Sequence, residues 1–503
     1  MRYDRAAPMI LSRLLAPAER LLAALADPAR RERTALGVIA AYVAVWTLYG
    51  VFAKASQDIH FDMAELFAWA HTPALGYAKH PPLAAWLVHF WFALFPAADW
   101  AYYLLATVTS GAGLLLAWRL AGRYLDGEKR ALALALLTLV PLYNFQALKF
   151  NPNTVLIPLW ALTTLWFIRS YESRSAIAAL IAGVAAAGAM LGKYWSIFLI
   201  IGLVLAALLD PRRKSYFLSA APWITIVAGA MALMPHLYWL FVNDFTPFSY
   251  ALAVHGSGSL GELFKNALGY LAGGFGYVAA PVLLALAATR PDRAACVDLL
   301  CPPTPARRLA ATAFWAPLLL PALLAPVFGF GINSLWTMSA WSLLPVVLLS
   351  SPLAKLSHAA AVRMIALAIV LPFVFLAASP FVAYRIHQAG VAPAAAHANL
   401  LAERVAQAWK SATARPLRLV SGDADLAYGV AFYLPERPRV VLLHELASSV
   451  PEAMVCPEAD RACVARIVQA GGTEGRRSDV ELTRSYFGIA GVPARYVIVL
   501  VPR

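Results

Sequence analysis

Charge is what this 503-residue chain has least of: only 14% of its residues are charged, against 61% hydrophobic. Acids are scarcer than bases, 27 Asp and Glu against 41 Lys and Arg, leaving a formal net charge of +14. So apolar a composition excludes an ordinary soluble globule. Also missing is any Gly-rich strand–loop–helix unit, so no nucleotide-sugar pocket is expected. No convincing internal repeat is present, which weighs against the alternative of a polytopic lipid or solute transporter or flippase. The first 30 residues lack a small-residue cleavage site, and Pro17 and Pro28 break their apolar run, so they do not read as a cleavable signal peptide.

What the chain does have is long apolar runs. As bounded here they run from about 14 to 22 residues, and most are long enough to cross a hydrocarbon core as a helix. They fall near 36–54, 102–121, 131–145, 154–169, 176–191, 196–209, 220–241, 271–289, 309–328, 336–351 and 364–380. About eleven transmembrane helices are therefore predicted, with 15 Trp and 20 Tyr to furnish interfacial belts. Basic residues mark every second connection: Arg30, Arg31 and Arg33; Arg123, Lys129 and Arg130; Arg169 and Arg174; Arg212, Arg213 and Lys214; Arg290, Arg293, Arg307 and Arg308; Lys355 and Arg363. The positive-inside rule puts these in the cytoplasm of a bacterial inner-membrane protein, with the N-terminus. Scattered over short loops, they signal topology and not a nucleic-acid footprint.

Three regions follow. Residues 1–35 read as a cytoplasmic amphipathic segment, with Leu11, Leu14, Leu15, Leu21, Leu22 and Leu25 able to face the inner leaflet. Residues 36–380 form the membrane domain, with a first outside loop over 55–100. Residues 381–503 contain no spanning run. Short apolar stretches at 418–420, 439–443 and 496–500, with helical patterns near 398–412 and 458–470, predict a small periplasmic α/β domain. Cys456 and Cys463 lie in that exported domain and are expected to form a disulfide. Cys296 and Cys301 lie in a cytoplasmic loop and should stay reduced, with no nearby His or Cys to complete a zinc site.

The scarce charge is concentrated in the first outside loop. Between Ser56 and Trp86 it gathers Asp58, His60, Asp62, Glu65, Lys79 and His80 beside an apolar wall. The run 61–69 has helical spacing that sets Asp62 and Glu65 on one face. Pro81 and Pro82 stop any helix and extend the backbone before them, which brings Lys79 and His80 back toward the acids. An acid and two bases at one spot suit deprotonating a hydroxyl while holding an anionic leaving group. His60, Asp62, Glu65 and His80 could also form a carboxylate–imidazole metal site, but tight ligand spacing is lacking. No cofactor is expected to be required, with a divalent metal left open.

The segment Gly76-Tyr77-Ala78-Lys79-His80-Pro81-Pro82-Leu83-Ala84-Ala85-Trp86, following an acidic residue in the first outside loop, resembles the bacterial GT-C glycosyltransferases. The resemblance is to their protein-mannosyltransferase-like family, which includes lipid A aminoarabinose and galacturonic acid transferases. Leu191-Gly192-Lys193-Tyr194-Trp195, Met234-Pro235-His236-Leu237-Tyr238-Trp239 with Asn243-Asp244-Phe245, and the Gly-rich run 269–276 match further motifs in order. The resemblance implies a GT-C fold that moves one sugar from a polyprenyl phosphate, usually with inversion, to a lipid A, glycolipid, glycan or protein acceptor at the periplasmic face. It implies Asp62 as general base, with Glu65 a second carboxylate one helical turn on. Many relatives carry Asp-Glu where this chain has Asp62-Met63. Lys193 is the first candidate for the donor phosphate, followed by Lys79 and His80. His60, Tyr77, Asn153, Tyr194, Asp244 and His255 are candidate substrate contacts; Asn151 and Asn153 also suit a helix cap.

Overall fold

A computed structural model of the chain describes residues 6–256, 258–442 and 452–502. Its first part is helical: α1 (Ala6–Ala26), α2 (Arg31–Ala53), α3 (Phe61–Ala70), α4 (Leu83–Leu94), α5 (Asp99–Ala121) and α6 (Gly127–Thr138). Next come α7 (Pro152–Ser173), α8 (Ala176–Gly192), α9 (Ile197–Leu209), α10 (Arg213–Phe217), α11 (Ala221–Val242) and α12 (Thr246–His255). The helical part closes with α13 (Leu260–Thr289), α14 (Arg293–Leu300), α15 (Pro305–Leu324), α16 (Leu344–Leu349) and α17 (His358–Ala389).

Five of these, α2, α5, α11, α13 and α17, are long and apolar enough to cross a membrane. The count of about eleven spans is not reproduced as eleven such helices. The run 131–145 stops as a helix at Thr138, because Pro141 follows and a single 3-10 turn takes over at Pro141–Tyr143. The run 336–351 is broken into two 3-10 turns, Ser334–Thr337 and Ala340–Leu343, before the six-residue α16. Irregular backbone at such depth is tolerated only inside protein, and Trp341, Leu343 and Leu344 are buried there. The N-terminal segment also differs from expectation. Its helix runs through Pro17, and Ala18, Leu22 and Leu25 are buried, with α1 packed on α17, α6 and α2.

The C-terminal domain begins later than residue 381, because α17 continues to Ala389. It comprises α18 (Pro393–Ala412), β1 (Leu419–Gly422), α19 (Ala424–Tyr433), β2 (Arg439–Val440), β3 (Glu452–Pro457), α20 (Arg461–Gly471), β4 (Arg476–Leu482), β5 (Ser485–Tyr486), β6 (Ile489–Ala490) and β7 (Ala494–Val501). The main sheet has the order β2-β1-β3-β7-β4, with β1 parallel to β2 and β3, and β7 antiparallel to β3 and β4. Its strands alternate between two cores. Ala453 and Val455 face α18 and α19, while Met454 and Cys456 face α20 with Ile467. Cys456 and Cys463 are disulfide-bonded, tying β3 to α20; Cys296 and Cys301 are free. Part of the 439–443 stretch lies outside the described residues.

This domain is docked on the first loop. Phe432 of α19 packs edge-on against Phe67 of α3 at 4.9 Å. The Tyr433 hydroxyl donates to Asp99 Oδ1 at 2.9 Å and accepts from the Ile59 amide at 3.0 Å. Asp58, buried, pairs with Arg484 and accepts from the Asn399 amide, while its own amide donates to Ala395 O. The loop and the C-terminal domain therefore lie on the same end of the helices.

Candidate active site

The site is built on α3. His60 caps this helix, its Nδ1 accepting from the Asp62 amide at 3.1 Å, so Asp62 sits in the first turn at the positive end of the helix dipole. The α3 backbone is held in turn by Tyr102 of α5, whose hydroxyl donates to Met63 O at 2.7 Å. Asp62 and Glu65 each meet a different lysine. Lys149 Nζ lies 2.9 Å from Asp62 Oδ2, and Asn151 Nδ2 donates to the same oxygen at 3.2 Å. Lys79 Nζ lies 2.5 Å from Glu65 Oε1 and 5.6 Å from the Tyr250 ring centroid.

The two carboxyls respond in opposite senses. Burial would raise both. At Asp62 the charge and hydrogen bond of Lys149, with the hydrogen bond of Asn151, outweigh it and hold the carboxyl below its ordinary range. At Glu65 burial wins over Lys79, helped by the charges of Asp62 and Asp425, and the carboxyl sits above its ordinary range. Desolvation also keeps both histidines neutral, pushing His60 down to about 4 and His80 down to about 3, where Lys193 adds repulsion.

Lys193 caps the C-terminus of α8 and is half-buried. Its Nζ donates to Asn153 Oδ1 at 2.8 Å and lies 4.4 Å from the Trp336 ring centroid. His255 stacks edge-on to the same indole at 5.1 Å. Asn151 and Asn153 thus act twice. Asn151 Oδ1 caps α7 by accepting from the Asn153 and Thr154 amides, and both side chains reach toward the charged cluster. No carboxylate pairs with Lys193 among the described residues.

Other candidates play framework roles. Tyr77 stacks flat on Trp69 at 5.0 Å, and its hydroxyl is engaged by the backbone of Trp69, Thr72 and Ala74. Tyr194 donates its hydroxyl to His236 Nε2 at 2.9 Å, while His236 Nδ1 donates to Leu75 O at 2.6 Å, locking the loop to α11. Gly76 completes that lock. A Cβ there would fall 2.2 Å from the Trp239 ring, so no larger residue fits. Asp244 stands apart, exposed in a left-handed turn after α11. Among the described residues no group of three or more His, Cys, Asp or Glu could hold a metal ion; Asp62 faces a lysine instead.

The residues that sequence reasoning missed are Lys149, Trp336 and Asp425. Lys149 precedes the Phe150-Asn151-Pro152 cap by one residue, a cation at the end of an apolar run, which was its one visible signal. Trp336 lies in a stretch read as a regular span. Asp425, in the first turn of α19, acts electrostatically on Glu65 and Lys79 from the C-terminal domain.

Comparison with known proteins finds relatives among membrane glycosyltransferases. The profile of the dolichyl-phosphate-mannose-protein mannosyltransferase family matches residues 79–239, a stretch that takes in Lys79, His80, Asn153 and Lys193 and starts after Asp62. Lipid A galacturonosyltransferase RgtD of Rhizobium johnstonii is 24% identical over 233 residues, 46% of this chain and 49% of that protein. Lipopolysaccharide core galacturonosyltransferase RgtB of the same organism is 27% identical over 224 residues, 44% and 45% of the two chains. The chain thus spans about half the length of the curated relatives it matches. Among solved structures, ArnT from Cupriavidus metallidurans bound to undecaprenyl phosphate superposes with a TM-score of 0.62 at 13% identity, over 92% of this chain and 97% of that one. The apo form gives 0.61 at 12% identity. At such identity the likeness speaks for the fold, C-terminal domain included.

Proposed function

From a chain that resembles the GT-C glycosyltransferases, with lipid A modification enzymes among its relatives, we propose a membrane enzyme that transfers a single sugar from a polyprenyl phosphate to a lipid acceptor. The observation that carries this reading is Asp62. A carboxylate kept ionised on a helix N-terminus, at one end of a membrane bundle, lies within electrostatic reach of Lys193, a cation without an ionic partner among the described residues. Asp62 accepts the proton of the acceptor hydroxyl as that oxygen attacks the anomeric carbon. The bond from the anomeric carbon to the phosphate oxygen breaks with its electron pair, and Lys193 neutralises the leaving polyprenyl phosphate. Attack from the side opposite the phosphate inverts the anomeric centre.

Glu65 and Lys79 form the supporting pair, and Asn151 and Lys149 hold the base. The positive-inside pattern supports a periplasmic site in the inner membrane, where the donor arrives already flipped. The acceptor is lipid A or another envelope glycolipid ahead of a glycan or protein, since both curated relatives are named for lipid A or core transfer. Mass spectrometry of envelope lipids with and without the gene tests the proposal. Loss of one hexose, pentose or uronic acid mass from a glycolipid is expected, and an unchanged glycolipid and glycan profile overturns it.

A further inference from the structure

A hairpin outside the site carries an unusual tip. Ser485 pairs with Ala490 and Tyr486 with Ile489, leaving Phe487 and Gly488 as a two-residue turn. Both have positive φ, 49° and 77°, the backbone of a primed turn for which Asn-Gly is favoured. A phenylalanine is strained there by its own Cβ, and Phe487 is 78% exposed. Ile489 and Val492 are exposed beside it. Among the described residues the only ring neighbour of Phe487 is the adjacent Tyr486, at 4.6 Å. Local folding preference does not explain an aromatic at this position.

The height of the hairpin does. Between Arg363 and Arg385, α17 has no charged residue. Those 22 steps span about 33 Å at 1.5 Å each, close to the roughly 30 Å hydrocarbon core. Arg385 therefore stands at the headgroups, and His387 half a turn beyond. His387 Nε2 donates to Ile489 O at 2.9 Å, its ring lies 6.0 Å from that of Tyr486, and a Cβ on Gly491 would fall 2.9 Å from its Cε1. The hairpin is thus clipped to a spanning helix at the membrane surface. Below it, exposed Phe381 continues the apolar face of α17 into the hydrocarbon.

We propose that this hairpin is a lipid-docking element that seats Phe487, Ile489 and Val492 between headgroups and acyl chains. It holds the C-terminal domain to the bilayer beside α17. Bilayer lipid is the occupant because the patch is continuous with the lipid-facing surface of α17. Aromatic side chains also settle at this depth. Three side chains are far short of the roughly 1,200 Å² that a stable protein interface buries.

The test uses the full chain in lipid nanodiscs, with Cys296→Ser and Cys301→Ser and the Cys456–Cys463 disulfide kept. A nitroxide is attached at Phe487→Cys and, for reference, at Gln469→Cys on the exposed face of α20. The label at 487 should collide with oxygen more than with a water-soluble nickel chelate, and the label at 469 should show the reverse. Equal nickel access at the two positions overturns the proposal. So does spin–spin broadening between copies, which would assign the patch to a second chain. A second variant separates anchoring from folding. Phe487→Asn suits the turn and keeps the hairpin, yet it should move a label at Val492→Cys toward water. No movement there also overturns the anchor.

Discussion

Two carboxylate–lysine pairs stand one helical turn apart on α3, and they are not equivalent. Asp62 has Lys149, an asparagine amide and the helix N-terminus around it, while Glu65 has Lys79 alone and repulsion from Asp62 and Asp425. Similar chemistry thus yields a carboxylate poised to accept a proton and a neighbour whose burial resists ionisation. Whether an acid here is ionised, as a general base must be before it can take a proton, depends on how many partners favour its charged form, and proximity to one lysine is not enough.

The sharpest way to break the comparison is to neutralise each acid in turn. Asp62→Asn keeps the shape and removes the proton acceptor, so turnover by the purified protein should fall roughly 10²–10⁴-fold. Glu65→Gln should lose clearly less. Equal losses, or near-normal turnover by Asp62→Asn with an unchanged melting curve, would remove the distinction between the two acids.

Next in size is Lys193, the proposed partner of the leaving phosphate. Lys193→Ala should raise KM for the polyprenyl-phosphate donor and slow transfer, with Lys193→Arg partly restoring both. A donor titration indistinguishable from the parent protein would instead make Lys193 a residue that merely reaches for lipid headgroups.

The smallest effect is the most specific to the comparison. Lys149 contributes most to favouring the charged form of Asp62, so Lys149→Ala removes the largest opposition to burial and the carboxyl rises. The acid limb of kcat/KM should then move to higher pH, since that limb reports the free enzyme's base. Lys79→Ala acts on Glu65 and should leave the limb where it was. A limb that follows Lys79 and ignores Lys149 would transfer the base role to Glu65.

Much of this was legible before any coordinates, for identifiable reasons. The helical spacing at 61–69 reappears as Phe61–Ala70, because an apolar period is a local signal. The two prolines announced that Lys79 would return toward the acids, but its partner, Glu65, was not foreseen: Lys79 was expected to serve the donor phosphate. Lys149 was not legible, since nothing local couples it to a residue more than 80 positions earlier. Strand β3 was not read because only four apolar residues, Ala453 to Cys456, stand between Glu452 and Pro457. The sequence of β4, RRSDVEL, reads as polar coil but forms the charged edge of the sheet, a common guard against edge-to-edge pairing. Tyr77 and Tyr194 carry motif positions, yet both spend their hydroxyls on bracing.

The contact of Phe67 with Phe432 also sets a schedule for making the protein. About 365 residues separate these two rings, and at 5–20 residues per second the ribosome needs roughly 20–70 seconds to add them. Throughout that interval the helix bearing Asp62 exists without the surface it finally leans on. On the proposed periplasmic placement, newborn chains are expected to stay inert until the last domain has been exported and has folded against α3.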